Sequence, residues 1–134
     1  MKNSVLNQFE QSLFEALING DRIRLGQQII IAVSGGKDSM TFLYSMYRIA
    51  DRLNVKINVV HVNHHIRHNS NNDQILVDKF CTELKIKFIL DHLDPATKLK
   101  GESPESWARN HRYAALERIR KEIDADWIFT AHHG

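Results

Sequence analysis

"QQIIIAVSGGKDSM", residues 27–40, decides how the rest of the chain is read. Its first half is a short apolar run rich in β-branched residues, as in a buried strand. Two glycines follow at once, then Lys37, Asp38 and Ser39. Beyond them Phe42, Leu43, Met46, Ile49 and Leu53 fall on one stripe at helical spacing, so residues 39–53 read as a helix. A glycine loop thus joins a strand to a helix start. Amides without intrahelical partners point out of such a start, and the helix dipole favours an anion there. Gly35 and Gly36 permit backbone shapes and close approach that a Cβ would block. Ser34 and Ser39 add hydroxyls and Lys37 a positive charge. These parts make a phosphate cradle.

The loop is not a Walker A motif. Ile31 stands where the first glycine belongs, and Lys37 is followed by Asp38 instead of Ser or Thr. It is not GxGxxG either. An aspartate beside phosphates repels them unless a cation lies between. Asp38 is therefore expected to act with Mg²⁺ or to orient a nucleotide. The blander reading is a plain strand–helix turn with Asp38 near a helix N-terminus.

Strand and helix alternate on both sides of this stretch. Leu6, Phe9, Leu13, Phe14, Leu17 and Ile18 share one face of an N-terminal helix. Residues 55–62 read as a second strand, 68–73 as a polar and mobile loop, 73–84 as a helix and 86–93 as a third strand. Residues 94–106 read as a loop. Residues 104–123 read as a helix with Pro104 in its first turn, and 125–131 as a fourth strand. The expected fold class is α/β, with a mostly parallel sheet and right-handed crossovers. One domain over residues 1–134 suffices. "TAHHG" ends the chain just past the fourth strand, where ligands of open α/β sheets bind. The expectation is the front part of a longer protein, cut short at its C-terminal end.

Composition narrows the classes. With 43% hydrophobic residues, 25% charged and a net charge of +2, the 134 residues suit an ordinary soluble domain. Cys81 is the sole cysteine, which excludes an intrachain disulfide and any CxxC site. It sits in an apolar stripe and reads as a buried, inert thiol. No signal peptide or apolar span is present, so the expected setting is cytoplasmic, with no membrane partner.

Several segments carry a resemblance. "SGGKDS" (34–39) resembles the pyrophosphate loop of the N-type ATP pyrophosphatases, the PP-loop superfamily, whose members adenylate an oxygen and release pyrophosphate. "HVNHHIRHNSNND" (61–73), "ESWARNHRY" (105–113) and "ADWIFTAHHG" (125–134) resemble, in order, segments of the tRNA(Ile)-lysidine synthetase family. Ile66 replaces the usual leucine, and the acidic end of the last segment is absent.

The resemblance implies a Rossmann-like, three-layer α/β/α domain of the adenine nucleotide alpha hydrolase type. It implies ATP and Mg²⁺ as cofactors. The partners would be free L-lysine and a tRNA(Ile) with a CAU anticodon; a homodimer stays open. In that family ATP activates C2 of the wobble cytidine, and lysine replaces AMP there. Ser34, Gly35, Gly36, Lys37, Asp38 and Ser39 would hold the leaving pyrophosphate. Ala32 would border the adenine or ribose, and His61 would end a strand where bases bind. His64, His65 and Arg67 would serve the tRNA substrate. Arg109 and Arg112, three apart on one helix face, suit the α-phosphate or the tRNA backbone. Solvated helix charges, or pairing with Glu105, is the plainer reading. His132 and His133 would meet the α-phosphate or the target base. His92 and His111 read as surface residues, and Trp107 and Tyr113 as packing aromatics. His64, His65 and His68 do not form a zinc helix motif. The basic bias over 98–121 suits tRNA phosphates, with a solvated charged face as the plainer reading.

Rival readings remain at this point. A tRNA 2-thiocytidine synthetase would need extra cysteines. A nucleotide-binding module inactive through truncation and a plain structural α/β domain are the others.

Overall fold

The computed structural model describes residues 26–63 and 70–130. The expected N-terminal helix, His64, His65, Arg67, His132 and His133 lie outside the described residues.

Four strands form one parallel sheet: β1 (Gln28–Ala32), β2 (Lys56–Asn63), β3 (Lys87–His92) and β4 (Trp127–Thr130), in the order β3-β2-β1-β4. Three helices connect them: α1 (Lys37–Leu53), α2 (Ser70–Leu84) and α3 (Pro104–Ile123). The first two crossovers step one way along the sheet and the third steps back across β1. With right-handed connections, that reversal puts α3 on the opposite face from α1 and α2.

Packing follows this division. Alternate residues of β1 point to opposite faces. Ile29, Ile31 and Val33 pack with Leu43, Met46, Ile49 and Leu53 of α1 and with Val77 and Cys81 of α2. Ile30 faces the other way, with Val60, Val62, Trp107, Leu116 and Ile119. Asn58 is a buried polar residue of that second face, where its Nδ2 donates to the Ile29 carbonyl at 3.1 Å.

Expected and observed elements differ by a residue or two at most ends. The largest difference is α2, which starts at Ser70 instead of 73, so part of the expected polar loop is helical. α3 spans the expected residues. Ser103 caps it, its Oγ accepting from the Ser106 amide at 3.1 Å, and Pro104 opens the first turn. Ser103→Ala should lower stability by about 1 kcal/mol in urea unfolding. An unchanged midpoint would mean that the cap is replaced by water.

Candidate phosphate-binding site

The sheet reverses its winding between β1 and β4, and ligands of such sheets bind beyond the strands' carboxyl ends at that point. Ala32 stands opposite Thr130 there. The glycine loop leaves β1 at this place.

Side chains hold the loop. The Val33 amide donates to the Val60 carbonyl at 3.0 Å. The Val33 carbonyl lies 2.7 Å from Nδ1 of His61. The Ser34 amide donates to Ser39 Oγ at 2.9 Å, and the Gly36 amide to Ser34 Oγ at 3.2 Å. Gly36 is the N-cap of α1, with no side-chain cap hydrogen bond. A helix start without a side-chain cap suits an anion. Lys37 and Asp38 are both exposed at this helix start.

The two glycines are not equivalent. Gly35 has φ +92°, and a Cβ placed on it would come within 2.7 Å of Asp73 Cβ. Gly36 has φ −71°, which any residue adopts. Only Gly35 needs the left-handed region; Gly36 leaves space for close ligand approach.

Asp73 is the neighbour that sequence reasoning missed. It lies in the first turn of α2 and packs on Gly35. The signal was present as the last residue of "HVNHHIRHNSNND". Beside it, Asn63 is buried and its Nδ2 donates to Gln74 Oε1 at 3.0 Å, tying the end of β2 to α2. His61 is also buried, at 3% exposure, beneath the loop. Burial holds its imidazole below the ordinary value, against the opposing pull of the Val33 carbonyl and Asp73; His92 acts with burial.

Arg109 and Arg112 belong to α3, in the layer opposite α1. Their guanidinium carbons lie 5.9 and 5.7 Å from the centre of the Tyr113 ring. Neither pairs with Glu105 among the described residues. Tyr113, expected to pack, is 39% exposed and forms a cation–π group with both arginines. Trp107 does pack: it is 1% exposed, and its Nε1 donates to Thr97 Oγ1 at 3.0 Å. His92 and His111 are exposed, as expected of surface residues.

The basic bias over 98–121 is partly neutralised. Arg118 pairs with Asp91 at 2.7 Å and with Glu122, and Arg120 pairs with Glu117. Lys98 donates to the Glu102 carbonyl at 2.6 Å. Cys81 is buried, and burial, helped by Asp78, pushes its thiol up to about 11. Among the described residues no cluster of three or more metal-ligating side chains occurs, and no helix is long and apolar enough to cross a membrane.

A family model described as "PP-loop domain" matches residues 5–134. The chain belongs to the PP-loop family. It is similar to tRNA(Ile)-lysidine synthases of Thermotoga sp. (36% identity over 81% of this chain and 27% of that protein) and of Clostridium acetobutylicum (34% identity over 99% of this chain and 28% of that protein). It therefore spans only a little over a quarter of the length of these two curated relatives. Among solved structures, the PP-loop chain resembles a U34-tRNA thiolase from Methanococcus maripaludis, with a TM-score of 0.80 at 19% identity over 94% of this chain and 45% of that one. It also resembles an NH3-dependent NAD synthetase from Campylobacter jejuni, with a TM-score of 0.72 at 10% identity over 97% of this chain and 58% of that one. These likenesses share the fold expected of a PP-loop domain.

Proposed function

We propose that this chain is the ATP-activating part of a tRNA(Ile)-lysidine synthase. The observation that carries the reading is the loop from Val33 to Ser39: anchored by side chains, opening onto an uncapped helix start at the switch point of the sheet. The similarity to lysidine synthases directs it to tRNA.

The C2 oxygen of the wobble cytidine, in a tRNA(Ile) with a CAU anticodon, attacks the α-phosphorus of ATP. Pyrophosphate leaves along the loop amides. The ε-amine of free lysine then attacks C2 and loses a proton, and the C2–O bond breaks to release AMP. Little covalent work falls to the protein, so positioning and charge neutralisation dominate. Ser34, Gly35, Gly36 and Ser39 hold the β- and γ-phosphates, and Lys37 adds a point charge. Asp38, an exposed carboxylate beside those phosphates, is a fitting oxygen ligand for Mg²⁺, which would neutralise their charge. Ala32 borders the nucleoside. His132 and His133 serve the α-phosphate or the target base, and His64, His65 and Arg67 serve the tRNA. Arg109 and Arg112, on the helix in the layer opposite the loop helix, suit the α-phosphate or the tRNA backbone. A cytoplasmic setting follows from that substrate.

Thiolation is the rival chemistry. Cys81, the sole cysteine in the sequence, is buried and held as the neutral thiol, which does not suit a sulfur relay.

The test is AMP release from radiolabelled ATP with Mg²⁺, lysine and a CAU-anticodon tRNA(Ile) transcript. It is run on this chain and on the chain extended to the length of its relatives. AMP formation that needs both tRNA and lysine in the extended protein is expected. ATP binding without AMP in either version would overturn the reading.

A further inference from the structure

We propose that His61 is a positioning residue for the phosphate-binding loop, working as a neutral imidazole whose Nδ1–H holds the Val33 carbonyl. This rests on the loop being the pyrophosphate cradle, although the clamp itself is a matter of geometry.

A carbonyl oxygen only accepts. At 2.7 Å from it, Nδ1 must therefore carry the proton. The Val33 carbonyl and the Ser34 amide belong to one peptide plane. His61 holds the oxygen end, and Ser39 Oγ holds the nitrogen end at 2.9 Å. A plane held at both ends fixes the direction in which the chain enters Gly35. Gly35 in turn packs on Asp73, so the next unit has no room to drift. The loop amides are thereby aimed before any ligand arrives, which is the condition for electrostatic stabilisation without reorganisation.

The other ring nitrogen supports the same reading. Nε2 is buried and has no hydrogen-bond partner among the described residues. Protonating it would bury a charge and an unpaired donor together. Asp73 from α2 and His92 from β3 are the titratable groups that face the ring. The flanking β2 residues Val59, Val60 and Val62 are buried valines. A valine at 61 would avoid the unpaired nitrogen altogether. What the imidazole adds there is the Nδ1–H donor.

The test uses the full chain. In ¹⁵N-histidine-labelled protein, His61 should show a protonated Nδ1 and a pyridine-like Nε2 at neutral pH, and should take up its second proton at lower pH than an ordinary histidine. An Nε2–H tautomer would overturn the proposal without any variant. H61N places an amide donor near the Nδ1 position, H61Q reaches only toward Nε2, and H61L has neither. ATP affinity by calorimetry should fall roughly tenfold or more in H61Q and H61L and recover to within about threefold in H61N, since small misplacements of the loop cost that much or more. A merely structural histidine predicts losses that follow melting temperature and no selective recovery in H61N; that pattern would also overturn it. If the wild type binds no ATP, the functional reading fails. The amide resonances of residues 34–39 then decide for His61. Displacement in H61Q and H61L but not in H61N supports the clamp, and resonances unmoved in all three refute it.

Discussion

Gly35→Ala will cost the protein its grip on ATP and a measurable part of its stability. Two effects act together. At φ +92° an L-residue is strained, and the new Cβ would lie 2.7 Å from Cβ and 3.1 Å from Cα of Asp73. The obstacle is the main chain of α2, not the end of a flexible side chain. The loop or the first turn of α2 must move. Strain of this kind costs about 1–3 kcal/mol. A shift of about 1 Å in the loop amides is worth about 100-fold in the chemistry they support. Gly36→Ala is the control. There φ is −71° and the nearest atom to a new Cβ is Ser34 Oγ at 3.5 Å, an ordinary contact. Thermal melts and ATP titrations on both variants separate the cases. Gly36→Ala should fold as the wild type does, while Gly35→Ala should melt earlier and bind ATP at least tenfold more weakly, roughly. Wild-type ATP affinity in Gly35→Ala would show that the Asp73 contact is dispensable.

Asp38→Asn will suppress AMP formation and leave the fold intact. The side chain is exposed in the first turn of α1, and asparagine has nearly the same shape. What is lost is a negative charge that only a cation makes useful beside phosphates. In the extended protein the rate of AMP formation should fall about 100- to 1,000-fold, the scale for one misplaced charge-stabilising group, while stability falls by only about 0.3–1 kcal/mol, the contribution of one first-turn charge. The decisive check has the opposite sign. With the metal chelated, the variant should bind ATP more tightly than the wild type, because a repulsion between like charges is gone. Weaker binding of metal-free ATP by the variant would make Asp38 a direct donor-orienting residue and remove it from metal placement.

Local chemistry made much of this molecule legible from residues alone. The α3 boundaries follow from Ser103 and Pro104, whose cap and first-turn roles do not depend on distant packing. The strand–loop–helix unit around Gly35 follows from the abrupt change at Val33 from an apolar run to glycines. The start of α2 was less visible. Residues 70–73 are Ser-Asn-Asn-Asp, poor helix formers taken one at a time. The helix survives there because Gln74 bonds to Asn63 and Asp73 packs on Gly35, contacts with partners far off in the sequence. Strand order was equally hidden, since an apolar run does not state which neighbour it pairs with. His61 looked like a residue facing a base because it lies near the carboxyl end of a strand. Its burial depends on α2 lying above it, which no periodicity within β2 reveals. The charge bias over 98–121 did not disclose that Arg118 and Arg120 are engaged with carboxylates, one of them on β3.

The position of β1 bears on the order in which the molecule loosens. It lies inside the sheet and contributes side chains to the apolar cluster on each face: Ile29 and Ile31 to one, Ile30 to the other. β3 and β4 are the edge strands among the described residues; β4 pairs directly with β1, and β3 has partly exposed residues along its length. Fluctuations that open the periphery should leave β1 closed, with its amide protons among the slowest to exchange. The phosphate loop is rooted in that strand. Opening at the sheet's periphery would leave the root of the phosphate loop in place.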